Sequence, residues 1–225
     1  MFKKIFRYLR YNSVIKTIWF NYHYLPLLQA IHLPISICRN TKLSRMKGEV
    51  VLNGIVKFSM ISIGKYGVGT LDMKYERTIW QNNGTVVFDG RASIGSGTKI
   101  SVNKGGILRF GNKFCVTGGS SIICSKEISF GEESLLSWDI LVMDTDFHNI
   151  LSKEDSRILN EPKPIHIGDR VWIGCRNTIL KGVTISNDVV IAAGSKITKD
   201  ITTPHSIVGG TDTQKVLKEN ISWRE

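Results

Sequence analysis

The sequence predicts an all-β chain wound as a parallel β-helix, and three observations carry that prediction. Isoleucine recurs at 167, 173, 179, 185, 191 and 197, a spacing of six held without a slip. That spacing is neither the 3.6-residue period of a helix nor the alternation of a hairpin strand. Gly168, Gly174, Gly182 and Gly194 interrupt the same stretch, and each is costly in a helix interior. Most charged residues fall between the isoleucines, which makes the isoleucine line the buried one. Six-residue periodicity of this kind belongs to a β-helix in which three strips close one coil. Residues 18 apart then stack, Ile167 on Ile185, Ile173 on Ile191 and Ile179 on Ile197, with coils about 4.8 Å apart.

The chain has 225 residues, 42% of them hydrophobic, enough for one large domain. Its formal charge of +11 is uneven. The first acidic residue is Glu49, and Lys3, Lys4, Arg7, Arg10, Lys16, Arg39, Lys42, Arg45 and Lys47 all precede it. The basic character is therefore a local property of the N-terminus. Cys38, Cys115, Cys124 and Cys175 form no C-x-x-C pair and no zinc-finger spacing, which points to thiols in a reducing cytoplasm. No apolar run reaches the length of a membrane-spanning helix, and Lys16, His23 and Pro26 break the pattern of a signal peptide.

Residues 1–32 form a basic amphipathic segment, with Phe2, Ile5, Phe6, Leu9, Ile15, Ile18 and Trp19 at near-helical intervals, stopping before Pro26. It can cap the open end of the solenoid or contact an anionic membrane surface as a peripheral segment. It matches no nucleic-acid-binding module, so no nucleic-acid partner is expected. Residues 33–208 are the β-helix. Its first coils, over LPISI, EVVLNGIVKF and ISIG, are irregular, and a charged stretch at 71–80 reads as a loop. Regular strips resume at Phe88, Ile94 and Ile100 and again at Ile122, Ile128, Ser134 and Ile140, with GSG at 95–97 and Gly pairs at 105–106 and 118–119 at corners. From Ile61 to Ile197 there is room for about seven coils of 18 residues. Residues 209–225 form a C-terminal cap.

The rhythm breaks between Ile140 and Ile167, where mixed charge with Pro162 and Pro164 predicts a loop at 144–165. Loops on a rigid scaffold commonly carry function, and this one opens with Asp144, Asp146 and His148. Histidine is the natural general base for a hydroxyl or an amine. In extended chain Asp144, Asp146 and His148 share one face, so a carboxylate could orient the imidazole as in a triad. The plainer reading is a surface histidine with two solvated aspartates, and spacing alone does not separate the two.

The run VWIGCRNTILKGVTISNDVVIAAGSKITKDI, preceded by DTDFH, resembles the hexapeptide-repeat acyltransferases. It is most similar to the galactoside and maltose O-acetyltransferases and to capsular-polysaccharide O-acetyltransferases. The likeness is strong over residues 85–210 and weak before residue 60. It implies a left-handed β-helix, a homotrimer, and acetyl-CoA in the groove between neighbouring subunits, with no metal. His148 matches the catalytic histidine, with Asp146 and Asp144 beside it. The likeness also implies that Trp172 walls the site and that Cys175, after VWIG, takes the place of a small residue serving the cofactor. Backbone N–H groups at a corner would hold the oxyanion. Ala193, Thr198 and Lys199 match positions along the pantetheine and nucleotide, and Lys215 a basic position near the phosphates, which suits a point charge.

Two departures concern the acceptor. An asparagine that binds it, about thirty residues before the histidine in the best-known sugar acetyltransferases, is absent from CVTGGSSI, which has Gly118 and Gly119. The N-terminal substrate-binding helices of that group are not recognisable either. Trp138 and Asp139, roughly half a coil before His148, are the candidates for shaping the acceptor pocket, although core packing explains Trp138 equally. His166 and His205 read as structural residues, and Cys175 as a lining residue without a base.

The leading function is acetyl-CoA-dependent O-acetylation of a sugar hydroxyl in a surface polysaccharide or its precursor. N-acetylation of a nucleotide-activated amino sugar would use the same base and donor site. A carbonic-anhydrase-type lyase needs three convergent histidines, and the spacing of His148, His166 and His205 does not supply them. A non-catalytic scaffold would leave the DTDFH break without a purpose.

Overall fold

The structure, a computed structural model, describes residues 8–223. Phe2, Ile5 and Phe6 of the amphipathic segment lie outside them. The strands assemble into three parallel sheets in which each strand, up to the last coil, pairs with the third strand after it in sequence; one antiparallel pair ends the first sheet. The first face holds Ile35–Ile37, Ile61–Ile63, Ala92–Ile94, Phe114–Gly118, Leu135–Trp138, Trp172–Ile173, Val190–Ile191 and Ser206–Gly209. The second face runs from Thr41–Met46 to Lys196–Ile197, and the third from Glu49–Leu52 to Thr184–Ile185. The chain thus visits the three faces in rotation. Ile167 pairs with Ile185, Ile173 with Ile191 and Ile179 with Ile197, as the 18-residue period requires.

Six coils, not seven, fit between Ile61 and Ile197, beginning at Ile61, Ala92, Phe114, Leu135, Trp172 and Val190. The middle coils are wider than the last ones. Ile100 pairs with Ile122, 22 residues on, and Ile122 with Val142, 20 residues on. Loops at 64–77 and 144–164 consume the remaining residues. The wider coils have room for larger side chains. Phe88, Phe110 and Phe130 stack down the third face, with centroids 5.1 and 5.7 Å apart, whereas Ile167 and Ile185 continue the column in the 18-residue coils. All of these side chains are buried, and each such burial is worth about 1.5–3 kcal/mol. Ring size follows coil circumference.

The corners are tight. Between the third and first faces, Lys113, Glu133, Arg170 and Asp188 all have φ between +51° and +62°, a conformation costly for a side chain with a Cβ. Charge pairing runs along this edge: Lys113 bonds Glu133, and Arg170 reaches both carboxylate oxygens of Asp188 at 2.7 and 2.8 Å. A glycine two residues before the first three of them lets neighbouring coils approach. A Cβ on Gly111 would stand 2.4 Å from the carbonyl carbon of Gly131.

The first coil is capped by α1 (Val14–Tyr24) and the short α2 (Leu27–Ala30). The N–H of Lys16 donates to the Ser13 hydroxyl at the start of α1. The strand Ile35–Ile37 would otherwise leave an unpaired edge. Instead the Asn21 side chain donates to the Ile35 carbonyl at 2.7 Å and accepts from the Ile35 N–H at 3.1 Å, and Ile37 N–H donates to the Thr17 hydroxyl. Phe20 packs edge-on against Trp80 below it. At the far end Ser206–Gly209 pairs antiparallel with the exposed strand Lys215–Glu219.

Candidate active site

The loop that interrupts the repeat leaves the second face after Leu141–Met143 and rejoins the third at Ile165–Ile167. Its two ends meet, because the Lys163 N–H donates to the Asp144 carbonyl at 3.1 Å. Within it, residues 150–159 form a hairpin bridged at Leu151 and Ile158. Phe147, Ile150, Leu151 and Leu159 all leave their side chains exposed.

The structure separates the three residues that extended chain would have placed on one face. Asp144 is fully buried, and its carboxylate accepts from the backbone N–H groups of Ser125, Lys126 and Glu127 at 2.7, 2.7 and 2.9 Å. It staples the corner of the preceding coil, and its oxygens are committed there. Asp144 is therefore a structural carboxylate and no partner of His148. Its charge, after burial, also pushes the neighbouring Cys124 thiol far above its ordinary range.

Asp146 does not orient the imidazole either. The chain is not extended here: Phe147 has φ +62°. The Asp146 carboxylate instead accepts from the Lys181 ammonium and from the Asn160 amide at 2.8 Å. The Lys181 hydrogen bond, then that of Asn160, holds the Asp146 carboxyl below the usual aspartate range. Lys181 also donates to the Asn160 carbonyl at 2.8 Å, and the Asn160 amide donates to the His148 carbonyl at 2.8 Å. The backbone of His148 is thus held from both sides, since its N–H donates to the Asp146 carbonyl at 2.7 Å. Its exposed imidazole has no hydrogen-bond partner among the described residues, so its ring nitrogens are available to a ligand.

Lys181 and Asn160 are what sequence reasoning missed. Lys181 lies in ILKGVT on the corner directly below the loop, one coil after Asp144. A lysine 18 residues before Lys199 at the same corner was the signal that could have found it.

The remaining candidates lie on two other parts of the prism. Trp172 is on the first face, 37% exposed, with its indole N–H donating to the Ser137 hydroxyl at 3.1 Å. Trp223, from the tail, lies against it with centroids 6.0 Å apart and donates to the Arg170 carbonyl at 2.6 Å. A cavity of about 430 Å³ opens beside Trp223, lined also by Cys115, Leu135 and Arg170. No residue of the 144–164 loop lines it. Cys175 and Ala193 sit at the corner between the first and second faces, where the Cys175 carbonyl accepts from Gly194 N–H at 2.9 Å. A Cβ on Gly174 would meet Ala193 N at 2.9 Å, so this corner admits close approach.

Thr198 and Lys199 occupy the corner after the second face, on the same edge as His148. The Gln214 side chain accepts from both of their N–H groups and donates to the Lys199 carbonyl at 3.1 Å. Lys215 follows on the exposed last strand, paired with Gly209. Trp138 is half-buried, and Asp139 turns outward with φ +56°, its carboxylate 4.0 Å from Arg176. Gly118 and Gly119 have a packing reason: Leu71, from the 64–77 loop, lies against them, and a Cβ on Gly118 would stand 2.6 Å from its Cδ1.

His166 shares a hydrogen bond with the Ser129 hydroxyl at 2.9 Å on the third face, and His205 ends the last coil with φ +53°. Among the described residues no group of three His, Cys, Asp or Glu side chains could hold a metal ion.

Residues 164–199 match the family model described as bacterial transferase hexapeptide (six repeats). Over 125 residues, 55% of this chain, the sequence is 28% identical to the polysialic acid O-acetyltransferase of Escherichia coli O1:K1 / APEC. That match spans 40% of the relative, so this chain covers less than half of its length. The solved structure of the polySia-specific acetyltransferase NeuO superposes with a TM-score of 0.56 at 23% identity, covering 85% of this chain and 76% of that one. The polysialic acid O-acetyltransferase OatWY gives 0.54 at 21% identity, covering 83% and 88%. The chain thus carries the hexapeptide repeat of the bacterial transferases, and it shares its fold with two polysialic acid O-acetyltransferases.

Proposed function

We propose that the protein is an acetyl-CoA-dependent O-acetyltransferase acting on a sugar hydroxyl of a surface polysaccharide or its precursor. The observation that carries this reading is His148: an exposed imidazole, unengaged within the described chain, fixed by its backbone where the hexapeptide repeat breaks. One imidazole nitrogen takes the proton of the acceptor hydroxyl as its oxygen attacks the thioester carbonyl. The tetrahedral intermediate collapses, the C–S bond breaks, and the proton passes to the departing CoA thiolate. Asp146 serves this step indirectly, through Asn160 and Lys181, by fixing the loop.

The donor set is Trp172, Cys175, Ala193, Thr198, Lys199 and Lys215. Within one chain Thr198 and Lys199 share the edge of His148, whereas Trp172 lies on the first face and Cys175 and Ala193 at the corner between the first and second faces, which supports a site completed between copies. A left-handed coil and a homotrimer are part of this reading. The apolar hairpin side chains Phe147, Ile150, Leu151 and Leu159 give a neighbouring subunit something to cover. Residues 1–32, 33–208 and 209–225 are then cap, catalytic solenoid and end cap of a protein working in the cytoplasm.

The test is release of CoA thiol by the purified protein with acetyl-CoA and paired acceptors, one bearing only hydroxyls and one a free amine. Turnover on the hydroxyl acceptor is expected, and His148→Ala should lower it by about a hundredfold to ten-thousandfold. Unchanged turnover in that variant removes His148 from its role, and turnover on the amine alone assigns N-acetylation instead.

A further inference from the structure

The capping helix α1 (Val14–Tyr24) buries Thr17, Phe20 and Asn21 against the first coil. An ordinary surface helix would turn a polar face outward. Here the outward stripe is Ile15, Ile18, Trp19 and Tyr22, and α2 continues it with Leu27 and Leu28. Ile15 is 82% and Leu28 80% exposed. Ile31 and, from the adjoining 53–60 loop, Ile55 and Phe58 are exposed as well. The inner side of the helix is engaged through Thr17, Phe20 and Asn21, and the outward side is apolar.

The charge around this apolar end is predominantly positive, with Glu49 the acid of the first coil. Residues 1–48 contain nine Lys or Arg and neither Asp nor Glu. Arg10 beside α1, Lys42 and Arg45 on the first strand of the second face, and Lys47 just after it are all exposed. No helix among the described residues is long and apolar enough to cross a membrane. The opposite end of the solenoid is different: Val216 and Leu217 are half-exposed but flanked by Lys215, Lys218 and Glu219.

We infer that this end of the solenoid docks on an anionic lipid bilayer. Trp19 and Tyr22 carry amphipathic rings suited to the headgroup level, the leucines and isoleucines enter the acyl boundary, and the surrounding cations face the lipid charge. The coil axis then stands away from the bilayer, and the His148 loop lies several coils from the lipid. A second copy of the chain would be the other cover for an apolar face, but a rim in which cations far outnumber Glu49 repels its own copy and attracts an anionic surface.

Flotation of the full-length protein decides this, using vesicles of phosphatidylcholine alone or with one-third phosphatidylglycerol. Binding is expected only to the anionic vesicles and is weakened by salt. The double variant Ile15→Asp with Leu28→Asp alters two solvent-facing side chains, so its melting temperature should hold while its partition falls at least about tenfold. Each of Lys42→Glu and Lys47→Glu should lower partition about fivefold or more, and Leu217→Asp at the far end should leave it unchanged. Failure of the parent protein to float with anionic vesicles overturns the inference. So does a double variant that floats equally, or one that changes the oligomeric state in sedimentation, which would assign the face to a second copy. None of these readouts requires acetyl transfer, so the result is independent of the catalytic proposal.

Discussion

The Lys181 ammonium donates to the Asp146 carboxylate, joining the corner of one coil to the loop that leaves the coil before it. This contact, with Asn160 between the two, sets where the His148 backbone lies. A side chain one coil away from the loop thus acts on His148 without touching it.

Lys181→Met should therefore lower kcat/KM about tenfold or more by loosening the loop. Global stability should change by about 1 kcal/mol, because the Asp146 side of the pair is open to solvent. The sign of the pH effect follows from Asp146. Its carboxyl is depressed in the folded protein, so the contact is present above the ordinary aspartate value of 3.8 and is lost as pH falls through the lower folded value. In Lys181→Met the Asp146 carboxyl should titrate nearer 3.8, which an NMR titration of that carboxyl carbon checks. An unmoved titration would remove Lys181 from this role.

Asp144 should behave as a structural residue. Asp144→Ala leaves three backbone N–H groups of a buried corner without acceptors, at a cost of about 3–5 kcal/mol. For a chain of this size that is a fall in Tm of about 6–20 °C. Asp144→Asn, which keeps an acceptor oxygen, should lose less. Calorimetry measures both, and a catalytic role would instead appear as lost turnover at unchanged Tm.

The fold was legible because burial on a six-residue period leaves no other solution, and Ile167, Ile173 and Ile179 stack where that period places them. Coil number was less legible. A strict 18-residue period does not anticipate that Phe88, Phe110 and Phe130 fill coils of 22 and 20 residues. His148 was visible as the place where rhythm fails. The partner of each aspartate was not, since a carboxylate that caps a buried turn and one that faces solvent have the same letter. Trp223 escaped notice because a tail of polar residues has no period from which to infer its return to Trp172.

Two glycines separate steric crowding from backbone strain. Gly111→Ala brings a Cβ to 2.4 Å from backbone of the next coil, where no side chain can yield, and should cost about 3 kcal/mol or more. Gly194→Ala meets nothing within 4 Å but must hold φ +72°, at a cost of about 1–2 kcal/mol. Urea titration of the two variants should preserve that order.

Thiol labelling tests the corner proposed for the donor. Cys124 is buried, and its thiol is held protonated by burial and by Asp144, so it should resist iodoacetamide in the native protein. Cys175 is partly exposed and should react. Acetyl-CoA should slow alkylation of Cys175 several-fold with no effect on Cys124, as read by peptide mass spectrometry. Equal rates with and without the donor would move the pantetheine path away from this corner.

The hydrogen bond from Lys163 N–H to the Asp144 carbonyl closes the solenoid behind the loop as though nothing had been inserted. The next strand, Ile165–Ile167, resumes its place over Ile128–Phe130 in unbroken register. Everything between is a detachable cassette. Its hairpin, residues 150–159, can change without any coil having to repack, because among the described residues the scaffold holds the loop at its root and through Lys181. A chain of this kind can hold its coils constant while the loop between Asp144 and Lys163 changes.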